Sequence, residues 1–337
     1  MKALVLYSPG VLRLMDVPVP ELGEGQVLIK VERSGICGTD KAFYKGTYSP
    51  GKIPIILGHE VSGRVVDVGK RQGGSGESLI GSRVTTEINF NCGRCWYCRN
   101  GLPTHCPYRK TLGISVDGSF AEYVVSRYDL VHVVNDLTPI QASFVEPLAA
   151  VVEMVELAPL PRNANVAVIG VGTIGLLALG LLSKLYEPRL LVAVARPDTP
   201  KKSMAFEMGA HEVLSDEELN EVIVKKTPEG AGFDYVVEAS GNPEGLQKAV
   251  EIVRPRGVIA VKSTHGIRAG IDVTKLVVKE VSLVGSRCGP FKKAIKLLRE
   301  GVIKVDRLVT SEFPLSRGVE AFEKSFERGE VKVHIIV

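Results

Sequence analysis

Four cysteines within fifteen residues, Cys92, Cys95, Cys98 and Cys106, constrain this chain more than any other feature. Their intervals of two, two and seven residues let four thiolates close a tetrahedron around one zinc ion. The segment from about 90 to 108 is therefore expected to form a lobe held by metal and not by a core of its own. A closed shell of four sulfurs leaves no coordination position free, which makes the role structural. Cys37 and Cys288 are the other two of the six cysteines, so no disulfide framework is expected and the compartment reads as reducing, a cytoplasmic one. Cys288 reads as a small packed thiol. Arg94, Arg99, Arg109 and Lys110 lie near the quartet, but four basic residues in a chain of net charge +4 make no nucleic-acid footprint.

At 337 residues the chain exceeds what one core usually serves, and two domains are expected. The opening run Met1 to Tyr7 is too short for a signal-peptide core and reads as a first strand. The most apolar stretch, Val166 to Leu185, carries four glycines, so no membrane span is expected. Up to about Val134 short β-branched runs are punctuated by Gly and Pro: Gln26 to Val31, Val61 to Val68, Arg83 to Glu87, Glu122 to Val125 and Leu130 to Val134. From Pro147 to Gly285 apolar strands alternate with helical stretches, the signature of a parallel, doubly wound α/β sheet. Its strands are Val166 to Ile169, Leu190 to Ala195, Tyr235 to Glu238, Val258 to Val261 and Ser282 to Val284. After Gly289 come a helix (Phe291 to Glu300), the Phe313-Pro314 break, a helix (Arg317 to Glu327) and a strand (Val331 to Val337). This tail either extends the second domain or returns to the first. Lys70 to Ser78, rich in Gly and Ser, reads as a flexible surface loop.

Directly after the strand ending at Ile169 stands Gly170-Val171-Gly172-Thr173-Ile174-Gly175, opening a helix. The first glycine permits a tight turn, the second a close approach of backbone to a pyrophosphate, and the third close helix packing, while the helix N-terminus supplies amide donors. At the tip of the next strand, where an acidic residue would bond the ribose of NAD, Arg196 stands twenty-one residues after Gly175, with Lys201 and Lys202 behind it. A guanidinium there can accept a 2′-phosphate, so NADP(H) is preferred over NAD(H). The alternative is a solvated Arg196, with Asp198 turning in to the ribose.

A second candidate metal set is dispersed: Cys37 in Cys37-Gly38-Thr39-Asp40, His59 and Glu60 after Gly58, and Glu146 before Pro147. Thiolate, imidazole and carboxylate together suit zinc, and three protein ligands would leave a position for water or substrate. These pieces, with Gly58-His59-Glu60-Val61-Ser62-Gly63, Gly69, Gly81-Ser82-Arg83-Val84, the four-cysteine lobe, Gly118-Ser119-Phe120-Ala121-Glu122-Tyr123, Glu146-Pro147-Leu148 and the fingerprint at Gly170, stand in the order found in one family. Over nearly its full length the chain resembles the zinc-dependent medium-chain alcohol and polyol dehydrogenases.

That resemblance implies a GroES-like, β-rich catalytic domain over residues 1–147, a Rossmann domain over 148–287, and a segment over 288–337 that returns to complete the first. It implies two zinc ions per subunit, one structural and one catalytic, and a homodimer or homotetramer with a small alcohol or carbonyl as substrate. Cys37 and His59 match zinc ligands, Glu146 the ligand carboxylate of the polyol, threonine and glucose branches, and Glu60 an outer or exchanging ligand. Thr39 matches the hydroxyl that takes the substrate proton while hydride passes to the nicotinamide. Ser240 matches a position beside the adenosine half, Ser263 one near the nicotinamide, and Arg287 one within reach of the pyrophosphate. Phe43, Tyr48, Phe90, Phe120 and Trp96 are candidate pocket walls. Two departures stand out: Ala42 replaces a proton-relaying His, leaving water, the cofactor ribose or Asp40 as exit, and Arg196 replaces the acidic residue of NAD-dependent members. Other classes built on this fold are a non-catalytic NADP-sensing protein and a zinc-free quinone or enone reductase. The Cys37, His59 and Glu146 set argues against both, since neither needs an open zinc.

Overall fold

The computed structural model describes residues 1–70 and 76–337, so most of the Gly/Ser-rich run between Lys70 and Ser78 lies outside the described residues. The chain divides into two compact units: Met1–Glu146 with Phe291–Glu300 and Val305–Val337, and Pro147–Pro290 with Gly301–Lys304.

In the first unit the strand Gln26–Gly35 is the hub. It pairs antiparallel with Glu60–Val68 on one edge, and with Tyr123–Arg127 and the last strand of the chain, Lys332–Ile336, on the other. Arg83–Thr86 and Val131–Val133 extend the sheet beyond Glu60–Val68, and Val309–Pro314 closes the far side parallel to Lys332–Ile336. Phe313-Pro314, which reads in sequence as a break, thus ends a strand. Proline is tolerated there because the strand lies at the sheet edge, where no neighbour needs its missing N–H. A smaller sheet, Val11–Asp16, Lys2–Ser8 and Ile55–Ile56, packs Leu4, Leu6 and Ile55 into a core with Phe43, Leu57, Phe120, Phe322, Val333 and Ile335. Phe120 meets Phe322 edge to face, ring centres 5.5 Å apart at 88°. Phe43 and Phe120, candidate pocket walls on sequence, are therefore core residues, whereas Trp96 and Tyr48 are 60% and 45% exposed. Phe43 faces inward because the helix Gly38–Lys45 buries the stripe of Asp40, Ala42 and Phe43.

The second unit is one all-parallel six-stranded sheet in the order Glu212–Leu214, Leu190–Val194, Asn165–Ile169, Phe233–Glu238, Val253–Val261, Ser282–Gly285. Asn165–Ile169 and Leu190–Val194 are buried along their whole length, as strands covered on both faces must be, which explains the apolar runs Val166 to Ile169 and Leu190 to Val194. Strand order reverses at Asn165–Ile169, so the topological switch point of the sheet coincides with the strand that carries the fingerprint. The edge strand Glu212–Leu214 has three residues, too few for a periodic signal. Val253–Val261 begins five residues before the expected Val258, running through Pro255 and Gly257 with a register shift against its neighbour. No described helix is long and apolar enough to cross a membrane.

His334 is a buried polar group at the hub. It is 1% exposed, its Nδ1 lies 3.2 Å from the Arg33 guanidinium, and its ring tilts against Phe144 at 5.7 Å. Burial, with Lys332 and Arg33 nearby, holds its pKa well below the usual value, so the native imidazole is neutral. As pH falls below about 6.5, the unfolded chain takes up a proton that the native state resists, and stability present above that pH is lost. His334→Gln should flatten the fall in urea midpoint between about pH 7 and pH 5.5; an unchanged slope would show that other groups set it.

Candidate active site and metal centre

The four lobe cysteines converge until all four sulfurs lie within 4.8 Å of one another, the one such group of three or more metal-capable side chains found among the described residues. Cys95 Sγ is 3.5 Å from Cys98 Sγ and 3.7 Å from Cys106 Sγ. Four sulfurs at about 2.3 Å from a zinc would be separated by about 3.8 Å, so the spacing fits that ion. The amides of Arg94 and Cys95 pull the Cys92 pKa down to about 6, while burial and the neighbouring thiols push that of Cys98 up to about 11. Four thiols this close cannot all ionise without a cation among them.

The dispersed set is built around a carboxylate. Gln26–Gly35 delivers the chain to Cys37, which immediately precedes the helix Gly38–Lys45. Three residues on, Asp40 is fully buried; its Oδ2 accepts the Cys37 amide at 2.9 Å and its Oδ1 the Gly58 amide at 3.3 Å. The same Oδ1 lies 3.5 Å from Nδ1 of buried His59, close enough for charge attraction although Nδ1 has no hydrogen bond. Burial works against an imidazolium at His59, but Asp40 and Cys37 outweigh it and raise its pKa well above the usual range. Two acidic groups thus favour positive charge here, and an imidazole whose Nδ1 faces a carboxylate presents Nε2 to a metal. The chemistry of Cys37 and His59 fits zinc. Asp40, fully buried and bound to two amides, is ill placed to carry a proton outward.

Glu60 stands next to His59 but is engaged elsewhere. Both carboxylate oxygens accept from Lys332 Nζ at 2.7 Å, and that ammonium also donates to Ile36 O at 3.1 Å. Burial opposes the charge on Lys332, yet Glu60, Cys37 and Asp40 hold its pKa above the usual value. Register places Glu60 opposite Gly35, where a Cβ would come 2.1 Å from Glu60 Oε2, so only glycine leaves room for the ion pair. In this arrangement both Glu60 oxygens are engaged by Lys332. Lys332 was missed on sequence, though the alternation of Lys332 and His334 with apolar residues in the final strand is its one local signal. Glu146 lies buried in the first turn of the helix Val145–Leu157 and does not converge with Cys37 and His59 as closely as the four cysteines do with one another. Thr39 is half-buried on the helix that follows Cys37.

The fingerprint glycines divide three tasks. Gly170 has φ +98°, and a Cβ would meet Ala239 O at 2.7 Å. Gly172 faces open space at the N-cap of the helix Thr173–Leu185, whose first residues are Thr173 and Ile174, and it carries no side chain to cap that helix itself. A Cβ on Gly175 would meet Gly170 O at 1.9 Å. This cradle fits a pyrophosphate. At the tip of Leu190–Val194, exposed Arg196 borders a cavity of about 230 Å³ shared with Thr199, Lys202, Ser215, Glu217 and Glu218. Glu218 faces inward to the Ser215 amide at 2.7 Å, and Lys201 precedes the helix Lys202–Glu207. Ser240 Oγ donates to Glu238 Oε1 at 2.6 Å, and Ser263 Oγ accepts from the Gly241 amide at 2.8 Å. Both expected cofactor contacts thus brace the loops around them. The Arg287 guanidinium lies 3.6 Å from Cys288 Sγ.

The alcohol dehydrogenase GroES-like domain family matches residues 23–136, and the zinc-binding dehydrogenase family matches residues 173–300. The chain is 33% identical to the D-arabitol-phosphate dehydrogenase of Enterococcus avium, over 99% of this chain and 97% of that protein. It is 32% identical to a sorbitol dehydrogenase of Halalkalibacterium halodurans, over 99% and 98%. A solved structure from Sinorhizobium meliloti 1021, described as a zinc-binding dehydrogenase bound to NADP, is similar with a TM-score of 0.87 at 30% identity, over 100% of this chain and 99% of that one.

The Glu60–Lys332 pair yields a stability cycle. Lys332→Met strands a buried carboxylate and should cost about 3–5 kcal/mol, whereas Glu60→Leu together with Lys332→Met should recover most of that loss. Urea unfolding of the four proteins measures it, and additive single effects would mean the charges do not interact.

Proposed function

Since the chain belongs to the zinc-dependent medium-chain alcohol dehydrogenase family, we propose that it transfers hydride between NADP(H), in preference to NAD(H), and an alcohol or carbonyl of the polyol or sugar class. Nicotinamide-dependent alcohol oxidoreduction itself is the activity of the chain as a member of that family. Exposed Arg196 at the cavity beside the tip of Leu190–Val194 carries the NADP reading, and buried His59, with Nδ1 toward Asp40 and Cys37 beside it in the unit that also contains Glu146, carries the zinc-centred one.

In this reading Cys37, His59 and Glu146 hold the catalytic zinc, with Glu60 outside the ligand set, and the lobe cysteines hold the structural one. The catalytic ion supplies Lewis acidity toward the substrate oxygen, and the nicotinamide supplies or accepts hydride. Asp40 faces the imidazole Nδ1 with its charge and holds the Cys37 backbone amide. Thr39 takes the substrate proton. With Ala42 in place of a relay histidine and Asp40 enclosed, the proton leaves by water or the cofactor ribose. The fingerprint amides take the pyrophosphate, and Arg196, with Thr199 and Lys202, takes the 2′-phosphate. The polyol and sugar class is supported by the names of the D-arabitol-phosphate and sorbitol relatives. The chain acts as a homodimer or homotetramer, a reading supported by the outer edge of Ser282–Gly285 and by exposed Val277, Val278 and Leu283; a monomer in sedimentation at micromolar concentration would remove it.

Turnover against a panel of polyols, sugars, ketones and aldehydes tests the reaction. Cys37→Ser should lose turnover and keep cofactor binding; turnover at the wild-type rate would favour the zinc-free alternative. Arg196→Ala should raise KM for NADPH about 10- to 100-fold and leave KM for NADH unchanged, and equal use of both by the wild type would end the NADP preference. Metal analysis should give two zinc per subunit. Cys98→Ser should lower Tm without changing cofactor affinity, and unchanged melting would count against a structural lobe zinc.

A further inference from the structure

Lys262 is an ammonium where the strand pattern leads one to expect a loop. It follows the strand Val253–Val261 directly and is only 9% exposed. Its Nζ donates to Ala150 O at 2.9 Å, to Ser286 O and Ser286 Oγ at 3.0 Å each, and more weakly to Arg287 O at 3.4 Å. Its own amide donates to Glu238 O at 2.8 Å. One residue therefore joins the carboxyl tips of three adjacent strands, Phe233–Glu238, Val253–Val261 and Ser282–Gly285, and fastens them to the helix Val145–Leu157 within the same compact unit.

Those three tips have a particular place in the sheet. Ligands of an open parallel sheet lie across its carboxyl edge at the switch point, which is Asn165–Ile169. The pyrophosphate cradle stands there, and the cavity beside Arg196 lies on the side of Leu190–Val194. If the adenosine end of a dinucleotide occupies that side, its nicotinamide half has to run over the opposite tips, which Lys262 ties together. A lysine suits the task because one head group can donate to three acceptors at once, and charge-assisted bonds of this kind are stiff.

We propose that Lys262 is a positioning residue for the nicotinamide half of the cofactor: its ammonium holds the loop at Ser286 and Arg287 in the form that receives the ring. The proposal rests on the nicotinamide-cofactor reading above. It differs from a general support of the sheet in what it leaves untouched, namely the adenosine end.

Binding of NADPH and of 2′,5′-ADP, a fragment that carries the 2′-phosphate but no nicotinamide, separates the two roles. Lys262→Met should weaken NADPH about tenfold, alter 2′,5′-ADP less than about twofold, and shift the emission of bound NADPH, which reports the surroundings of the ring. Lys262→Arg keeps the charge and should restore most of the NADPH affinity. Equal weakening of both ligands, or of neither, would overturn the proposal. Should Lys262→Met fail to fold, Lys262→Gln, which keeps one donor group, is held to the same comparison. If the wild type binds NADH and not NADPH, the cofactor preference is wrong, and NADH against AMP then tests Lys262 by the same criterion.

Discussion

The catalytic unit depends on the pairing of one strand with partners from opposite ends of the chain. Gln26–Gly35 lies between Glu60–Val68 and Lys332–Ile336, so residues some 270 positions apart share one buried face. At its end Gly35 is bare, Glu60 lies over it, and Lys332 supplies the opposing charge. Two charges in that position are stable only together, because each alone would face an uncompensated desolvation cost of several kcal/mol. The pairing also sets where Cys37 leaves the strand and where His59 enters the next one. Asp40 then acts as a small template, binding the amides of Cys37 and Gly58 and facing the His59 ring with one carboxylate.

The cofactor unit solves a different problem. Its inner strands are largely apolar, and its candidate cofactor groups stand at the carboxyl tips of the sheet. Gly170, Gly172 and Gly175 shape one tip, Arg196 ends the next, and Lys262 binds three more together. Glycines keep one tip free of side chains, and Lys262 anchors the loops at the others. Both units thus place a buried polar group where strand ends must be held in register, and both neutralise or saturate it with hydrogen bonds.

Much of this was legible in the chain itself. Fingerprint and cysteine quartet are local, since all members lie within one turn or one short lobe and need no distant contact to be recognised. The alternation of strands and helices in the cofactor unit was equally clear, because strands buried on both faces leave long apolar runs. Elements that owe their existence to a neighbour were not legible. Glu212–Leu214 is too short to show a period, Val253–Val261 continues through a proline and a glycine, and Val309–Pro314 ends in what looks like a breaker. Candidate pocket aromatics went astray for the same reason: Phe43 and Phe120 carry no mark of whether they face substrate or core, and packing against Phe322 and Leu4 puts them in the core.

Sequence alone determined which donor atoms exist and which short-range motifs they form: four thiolates in one lobe, a glycine turn before a helix, a cation at a strand tip. Spacing along the chain suffices there because a few covalent bonds limit how far the groups can separate. Tertiary structure decided which charges neutralise one another. That Glu60 belongs to Lys332, that Asp40 addresses His59 and two amides, and that Lys262 binds Ser286 and Ala150 are consequences of strand order and register. A buried charge takes whichever partner the fold brings within about 3 Å, and nothing in the identity of either residue announces the match.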